Sequence, residues 1–301
     1  MTSEVPVQPA ARTRGPIAHV RGLIWAGHPL PGCVFTLAAG IFAVLAALAA
    51  HHTVAPGRLA RLLIGVYCTQ VVIGSVNDYH DRALDAAGGR AKPIVQGLIA
   101  PWEALALAVI ATVVLLIVVA PLGWLALVLT LIIEALGLAY DLRFKGTPIS
   151  ALLYAVYFPL NPLLAWVVFG RWQPFLPWLV PLGAALGIAT NISNSLSDLE
   201  ADQAAGVRGL PHLLGLRWGL RVAWGAPIVM VAVVWALALT GVVPAHLHAL
   251  LIGTLLGLAC SALAIVRYLR RPTSETLRLN FTIQAVGTVA LAAGWLAAVA
   301  F

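Results

Sequence analysis

Nine apolar runs, each close to the length that crosses a bilayer, constrain this chain more than anything else in it. A helix spans the hydrocarbon core with about 20 predominantly apolar residues, in a range of roughly 17–25. Such runs lie at about residues 32–52, 59–79, 101–121, 122–140, 149–169, 175–196, 218–240, 245–267 and 280–300, the third meeting the fourth around Pro121. Backbone amides in lipid find no water, so runs of this length are satisfied there as helices. The expected fold is all-α: a polytopic membrane protein, a bundle of nine transmembrane helices with a central cavity opening to the cytoplasmic side. One domain covers 1–301, with 1–15 as a flexible cytoplasmic tail. Only 10% of residues are charged and 61% are hydrophobic, whereas about a quarter of a soluble domain is charged.

A net charge of +7 raises the question of nucleic acid, and the placement of the basic residues answers it. Short cytoplasmic loops collect Lys and Arg. With the N-terminus inside, fifteen basic residues fall on the inner side: Arg12, Arg14, Arg21, Arg82, Arg90, Lys92, Arg143, Lys145, Arg208, Arg217, Arg221, Arg267, Arg270, Arg271 and Arg278. Three fall outside, Arg58, Arg61 and Arg171, and the C-terminus is outside. No nucleic-acid partner is needed to explain the charge. No signal peptide is expected at the N-terminus. Cys33, Cys68 and Cys260 lack CxxC spacing and read as small hydrophobes, with neither disulfide nor zinc. Abundant Ala and Arg beside two lysines suggest a bacterial source and its cell membrane.

The acidic residues gather at the inner ends of the even-numbered spans. "SVNDYHDRALDAAGGRAKPIVQG" closes the second, "AYDLRFKG" the fourth and "NISNSLSDLEADQAAGVRGLP" the sixth. At about 100° per helical residue, Asp81, Asp85 and Asp78 lie at about 40°, about 80° and about 100° from Asn77. Counted from Asn191 in the same way, Asn194 falls at about −60°, Asp198 at about −20° and Asp202 at about 20°. Glu200 points the opposite way. Two stripes of carboxylates and amides suit a hard divalent cation such as Mg²⁺, which takes one or two carboxylates together with substrate phosphates and water. Arg90, Lys92, Arg143, Lys145 and Arg208, in the adjoining loops, are the natural partners for those phosphates.

Other polar residues carry less. Glu134, midway along the fourth span, either hydrogen-bonds a neighbour or lines a substrate cavity. Asn161, between Pro159 and Pro162, marks a broken helix of the kind tolerated where it lines a cavity. His28, His51, His52, His246 and His248 read as interfacial. His80 falls at about −60° from Asn77, beyond its stripe, as a supporting residue.

Together these motifs resemble the UbiA superfamily of intramembrane prenyltransferases over nearly the whole chain. Its first signature is matched by Asn77-Asp78, Asp81 and Asp85, followed by Arg90, Lys92-Pro93 and Gly97. The tyrosine and lysine after the fourth span are Tyr140 and Lys145, and the second signature is Asp198, Asp202, Gly206 and Pro211, preceded by Asn191 and Asn194. The resemblance implies that both motifs hold Mg²⁺ on the diphosphate of a prenyl donor, with Asp78, Asp81, Asp198 and Asp202 as the catalytic carboxylates. It implies metal contacts from Asn77 and Asp85, basic-loop contacts to the diphosphate, and a prenyl tail running between spans toward lipid. The family's usual arginine is Lys92 here, and Asn191 replaces an aspartate common in quinone-pathway members. "SDLEADQAAGVRGLP" looks more like the branch acting on chlorophyll precursors, homogentisate or glycerol phosphate lipids.

The reading is ionisation of a prenyl diphosphate in a dry apolar pocket, followed by attack from a small-molecule or lipid acceptor. Two alternatives stay open: a terpene cyclase of the same superfamily, needing no acceptor, and a transporter. Against the transporter, the acidic groups form no file across the bilayer and no inverted repeat is visible.

Overall fold

The computed structural model describes residues 15–204 and 206–300; Arg12, Arg14 and nearly all of the expected tail lie outside these. Among the described residues there is no strand, and nine helices are long and apolar enough to cross a membrane. The fold is the all-α bundle expected.

A helix not anticipated from the sequence, α1 (Pro16–Ala26), precedes the first span. Ile17, Val20, Ile24 and Trp25 are exposed on it, while Gly22 sits against Leu98 and Ile99. The spans follow as α2 (Pro29–Ala49), α3 (Pro56–His80), α5 (Pro101–Val119), α6 (Trp124–Ala139), α7 (Ile149–Phe169), α8 (Leu179–Ser195), α10 (Leu210–Leu239), α11 (Leu247–Arg270) and α12 (Ser274–Ala300). Short helices α4 (Arg82–Ala87) and α9 (Leu199–Ala204) prolong α3 and α8 at one end of the bundle. The third and fourth spans part at a 3-10 turn holding Pro121, and Gly123 follows at φ 123°, a conformation that favours glycine. The seventh span starts earlier than its apolar run, at Leu210, and bends at Gly215.

α2 packs on α3, α7 and α12; α8 packs on α7, α10 and α12. The exposed large side chains, such as Val109, Ile117, Leu251 and Leu255, face outward, as lipid requires. Small residues set the tightest approaches. Gly253 of α11 lies against Gly294 of α12, and Gly187 of α8 against the Tyr154 carbonyl of α7.

The expected break at Asn161 is not there. α7 runs unbroken from Ile149 to Phe169 with Pro159 and Pro162 inside it. The Asn161 amide donates to the Tyr157 carbonyl at 2.9 Å, and Gly183 and Gly187 let α8 close over the weakened stretch. Pro159 and Pro162 remove the N–H donors to the Ala155 and Phe158 carbonyls, and close packing of the neighbouring helix lets α7 continue through the stretch.

A side chain on Gly294 would collide with the Gly253 backbone, whereas one on Gly225 meets open space. Overpacking of this kind costs about 1–3 kcal/mol. Gly294→Leu should lower the Tm by about 5 °C in detergent-solubilised protein, read by fluorescence-detected size exclusion after heating. Gly225→Leu should leave it unchanged.

Candidate active site

Carboxylates at a membrane edge need compensation, and local structure supplies it. α3 ends at His80 and α4 follows at once: the Asp81 N–H donates to the Asn77 carbonyl and the Asp85 N–H to that of Asp81. Gly89, at φ 64°, then reverses the chain: the Gly89 N–H donates to the Ala86 carbonyl and the Arg90 N–H to that of Asp85. This paired cap folds Arg90 back over the helix it terminates. The second motif repeats the construction. Gly206 stands at φ 80°, with the Gly206 N–H on Gln203 and the Val207 N–H on Asp202. Asn77, Asp81, Asp85 and Gly89 therefore correspond, four residues apart, to Asn194, Asp198, Asp202 and Gly206.

Arg90 joins the two segments. Its guanidinium lies 3.0 Å from Asp85, 3.2 Å from Asp202 and 3.8 Å from Asp198. A third contribution comes from the fourth span, whose last turn, Tyr140–Phe144, is π-helical. Such wide turns often occur at functional sites. Here it presents Asp141, which accepts from the Asn77 amide at 2.9 Å, and Lys145, whose ammonium donates to Asp81.

These groups line one cavity of about 530 Å³, walled by Asn77, Asp81, Asp85, Arg90, Lys92, Tyr140, Asp141, Lys145, Asn194, Asp198 and Asp202. Asp78 stands behind that wall. It is 1% exposed, and one oxygen is shared by Lys92 at 2.7 Å and His28 at 2.8 Å.

Several expected residues do not reach the cavity. Asn191 turns to α7, where it accepts from Ser150, because its helix face packs in the bundle. Glu134 is buried against α5 and accepts from Thr112. Arg143, on the π-helical turn, and Arg208, in the loop before α10, are exposed outside the cavity. Asn161 lines a second, apolar cavity that shares Phe35, Tyr154 and Phe281 with the first. Glu200 is exposed, in keeping with its opposite helical phase. His80 contacts Asp81 at 3.1 Å.

Sequence reasoning missed His28, Asp141, Tyr154, Tyr157, His212 and Arg278, all in the cavity wall. His28, read as interfacial, adopts a left-handed backbone at φ 50° between α1 and α2, which carries its ring to Asp78. Arg278 reaches Asp198 at 3.2 Å from the start of α12. The signal available for Asp141 is its place in "AYDLRFKG", which closes the fourth span as the two motifs close the second and sixth.

Charge follows this geometry. Burial pushes the Asp81 carboxyl up, but the Lys145 charge and hydrogen bond outweigh it and hold Asp81 below its ordinary value. Burial works against the Lys145 ammonium, yet Asp81 keeps it above its ordinary value. Burial likewise opposes Arg90, and Asp198, Asp85 and Asp202 reverse the balance. One oxygen each of Asp78, Asp85 and Asp141 is buried without a hydrogen-bond partner. No compact group of three acidic, His or Cys ligands is preformed among the described residues, since Arg90 and Lys145 sit between the carboxylates. A divalent cation needs only one or two carboxylates when phosphates complete its shell, and the oxygens of Asp81, Asp85, Asp141, Asp198 and Asp202 in this wall, one each of Asp85 and Asp141 unpartnered, fit one.

The UbiA prenyltransferase family model matches residues 33–286. Among named relatives, the digeranylgeranylglyceryl phosphate synthase of Natronomonas pharaonis is 29% identical over 196 residues, 65% of this chain and 71% of that protein. That of Halobacterium salinarum is 30% identical over 217 residues, 67% of this chain and 72% of its own length. Among solved structures, a UbiA homologue from Archaeoglobus fulgidus bound to DMAPP and Mg²⁺ superposes with a TM-score of 0.70. It is 17% identical, and the match covers 92% of this chain and 98% of that one.

The Asp81–Lys145 pair sets a pH expectation. A depressed Asp81 adds stability above its unfolded value of about 3.9, lost as pH falls through the folded one. The raised Lys145 adds stability below about 10.4, lost as pH rises through its folded value. Lys145→Met leaves Asp81 buried without that partner, so acid destabilisation should begin at higher pH than in the parent. Tm against pH in nanodiscs reads this, and superimposable acid limbs would contradict it.

Proposed function

The chain belongs to the UbiA prenyltransferase family, and on that premise we propose that its polar cavity binds a prenyl diphosphate with Mg²⁺ and transfers the prenyl group to an acceptor. The observation that carries this reading is the pair of equivalent Asn-x3-Asp-x3-Asp-x3-Gly segments facing each other across one cavity, with cations seated on their carboxylates. Asp81, Asp85, Asp198 and Asp202, with Asn77, would hold Mg²⁺. When bound, the metal neutralises the charge that develops on the departing diphosphate. Arg90 and Lys145 then turn from carboxylates to phosphate oxygens, and charge-assisted bonds of either kind are strong. Asp78 acts from behind the wall, positioning Lys92 and His28 at the rim. Tyr154, where the polar and apolar cavities meet, and Tyr157 in the polar cavity's wall would offer their rings to an allylic cation. The apolar walls beyond them exclude the water that would quench it.

The relatives named as digeranylgeranylglyceryl phosphate synthases favour a lipid alcohol as acceptor over an aromatic, quinone-precursor or chlorophyll-like one. The bias of basic residues supports an N-terminus and site facing the cytoplasm, with the C-terminus outside. Membranes should be incubated with prenyl diphosphates of several lengths, Mg²⁺ and candidate acceptors. Mass spectrometry should find an adduct of donor and acceptor. A cyclised hydrocarbon formed without acceptor would replace transfer by cyclisation, and no consumption of any donor would overturn the reading.

Asp81→Ala and Asp198→Ala should each lower kcat by about 10²–10³-fold while leaving an inserted, folded protein, and Glu200→Ala should stay near the parent. Equal damage from Glu200→Ala would contradict the helical phase assigned there. Arg90→Ala should raise the KM for donor by roughly tenfold without changing the product. Glu134→Gln, which preserves the acceptor for Thr112, should keep both turnover and product. A severe loss with normal folding would place Glu134 in the chemistry.

A further inference from the structure

The last three spans carry positive charge that the diphosphate cavity does not use. From Gly206 to Ala300 the sequence holds seven arginines and a single acidic residue, Glu275. Arg278 is taken by Asp198. Arg217 and Arg221 lie near the start of α10, and Arg267, Arg270 and Arg271 where α11 stops. Among the described residues none of these five forms an ion pair, and none lines the polar cavity.

Their placement brings them together. α10 bends at Gly215 (φ 68°), so its long membrane-crossing part starts afresh just after that residue. Arg217 stands in the first turn of that part and Arg221 one turn on. Helical phase sets Arg221 at about 40° and Trp224 at about −20° from Arg217, on one face. Trp224 meets Tyr268 of α11 edge-to-face, with 5.7 Å between ring centroids, so that face looks onto the last turns of α11. Arg267 precedes Tyr268 and Arg271 follows it by three residues. Arg267 is half-buried, and its Nε–H is covered without an acceptor among the described residues. The Arg221 guanidinium rests 4.4 Å from the centroid of the Trp218 ring. Leu216, Trp218, Val266 and Leu269, interleaved with these arginines, are exposed.

We propose that this cleft between α10 and α11 binds an anionic phospholipid from the leaflet on the side of the polar cavity. Its phosphate sits among Arg217, Arg221, Arg267 and Arg271, and its acyl chains run along Leu216, Val266 and Leu269. Arg267 and Arg270 suit the negative end of α11, but Arg217 and Arg221 stand at the positive end of a helix, where cations are disfavoured. Topology alone asks for basic residues on this side, not for two at that end facing a third with an unmet N–H. An anion supplies what is missing, since arginine–phosphate bonds are charge-assisted and frequently bidentate. The exposed apolar side chains select its source: a lipid covers them, whereas a free phosphate or a soluble acidic partner does not. Basic pockets between membrane helices hold anionic headgroups in this way, and Trp224 with Tyr268 gives the cleft an aromatic floor at headgroup level.

Binding tests the site without reference to catalysis. Full-length protein in a neutral detergent is titrated with dioleoylphosphatidylglycerol or dioleoylphosphatidylcholine, and bound lipid is counted by native mass spectrometry. The parent should hold one phosphatidylglycerol with a preference of about tenfold or more over phosphatidylcholine. Arg221→Gln should cut that preference by about fivefold, and the double variant Arg221→Gln, Arg267→Gln should abolish it. Arg61→Gln, which removes an exposed arginine at the opposite end of the bundle, should leave it unchanged, and saturating inorganic phosphate should not displace the lipid. No preference in the parent would overturn the proposal and leave the arginines to a soluble acidic partner. Equal loss in Arg61→Gln would overturn it by showing unlocalised attraction to charge, and displacement by inorganic phosphate would assign the cleft to a free anion. Arg221 is exposed, so an unchanged preference in its single variant would overturn the site even where Arg267→Gln fails to fold.

Discussion

One guanidinium ties the polar end of this bundle together. Arg90 touches Asp85 of its own motif and Asp202, 112 residues away, in a setting where uncompensated carboxylates are costly. Lys145 does the same for Asp81, and Lys92 with His28 for Asp78. Removing one partner of such a buried pair leaves an uncompensated charge, which costs more than the intact pair contributes. The arrangement is thus stable as it stands and exchangeable in kind. A cation arriving with a phosphate offers the carboxylates and the basic side chains new partners of the same sign.

That exchange needs rigid supports around it. The two Gly-terminated caps fix where the helices that carry Asp85 and Asp202 end, and Arg90 meets both carboxylates. The π-helical turn after α6 brings Asp141 and Lys145 into the same wall from a third span. Beneath, tight glycine contacts between α7 and α8 and between α11 and α12 hold the helices that wall the apolar cavity. The polar and apolar cavities share Phe35, Tyr154 and Phe281.

The spans and both acidic stripes were legible in the sequence because hydropathy and helical phase are local properties. Asp81 and Asp85 could be phased within one helix, and Asp198 and Asp202 within another. What was not legible depended on distant partners. His28 reaches Asp78 across 50 residues and Arg278 reaches Asp198 across 80, and no spacing rule predicts either. Asn191 fits the phase of its stripe, but packing against Ser150 of α7 decides where its amide points. The prolines of α7 suggested a break because the compensating glycines lie on another helix. The α1 helix, short and with a mixed face, gave no run long enough to stand out.

The central claim is that the facing carboxylates and their cations handle a metal-bound diphosphate. The most direct measurement is diphosphate release from geranylgeranyl diphosphate by protein in nanodiscs, with candidate acceptors present, as Mg²⁺ is titrated from a fully chelated start. The expected result is saturable release that is absent in chelator and returns on adding Mg²⁺. Release undiminished by chelation, or none at any Mg²⁺ concentration, would contradict it.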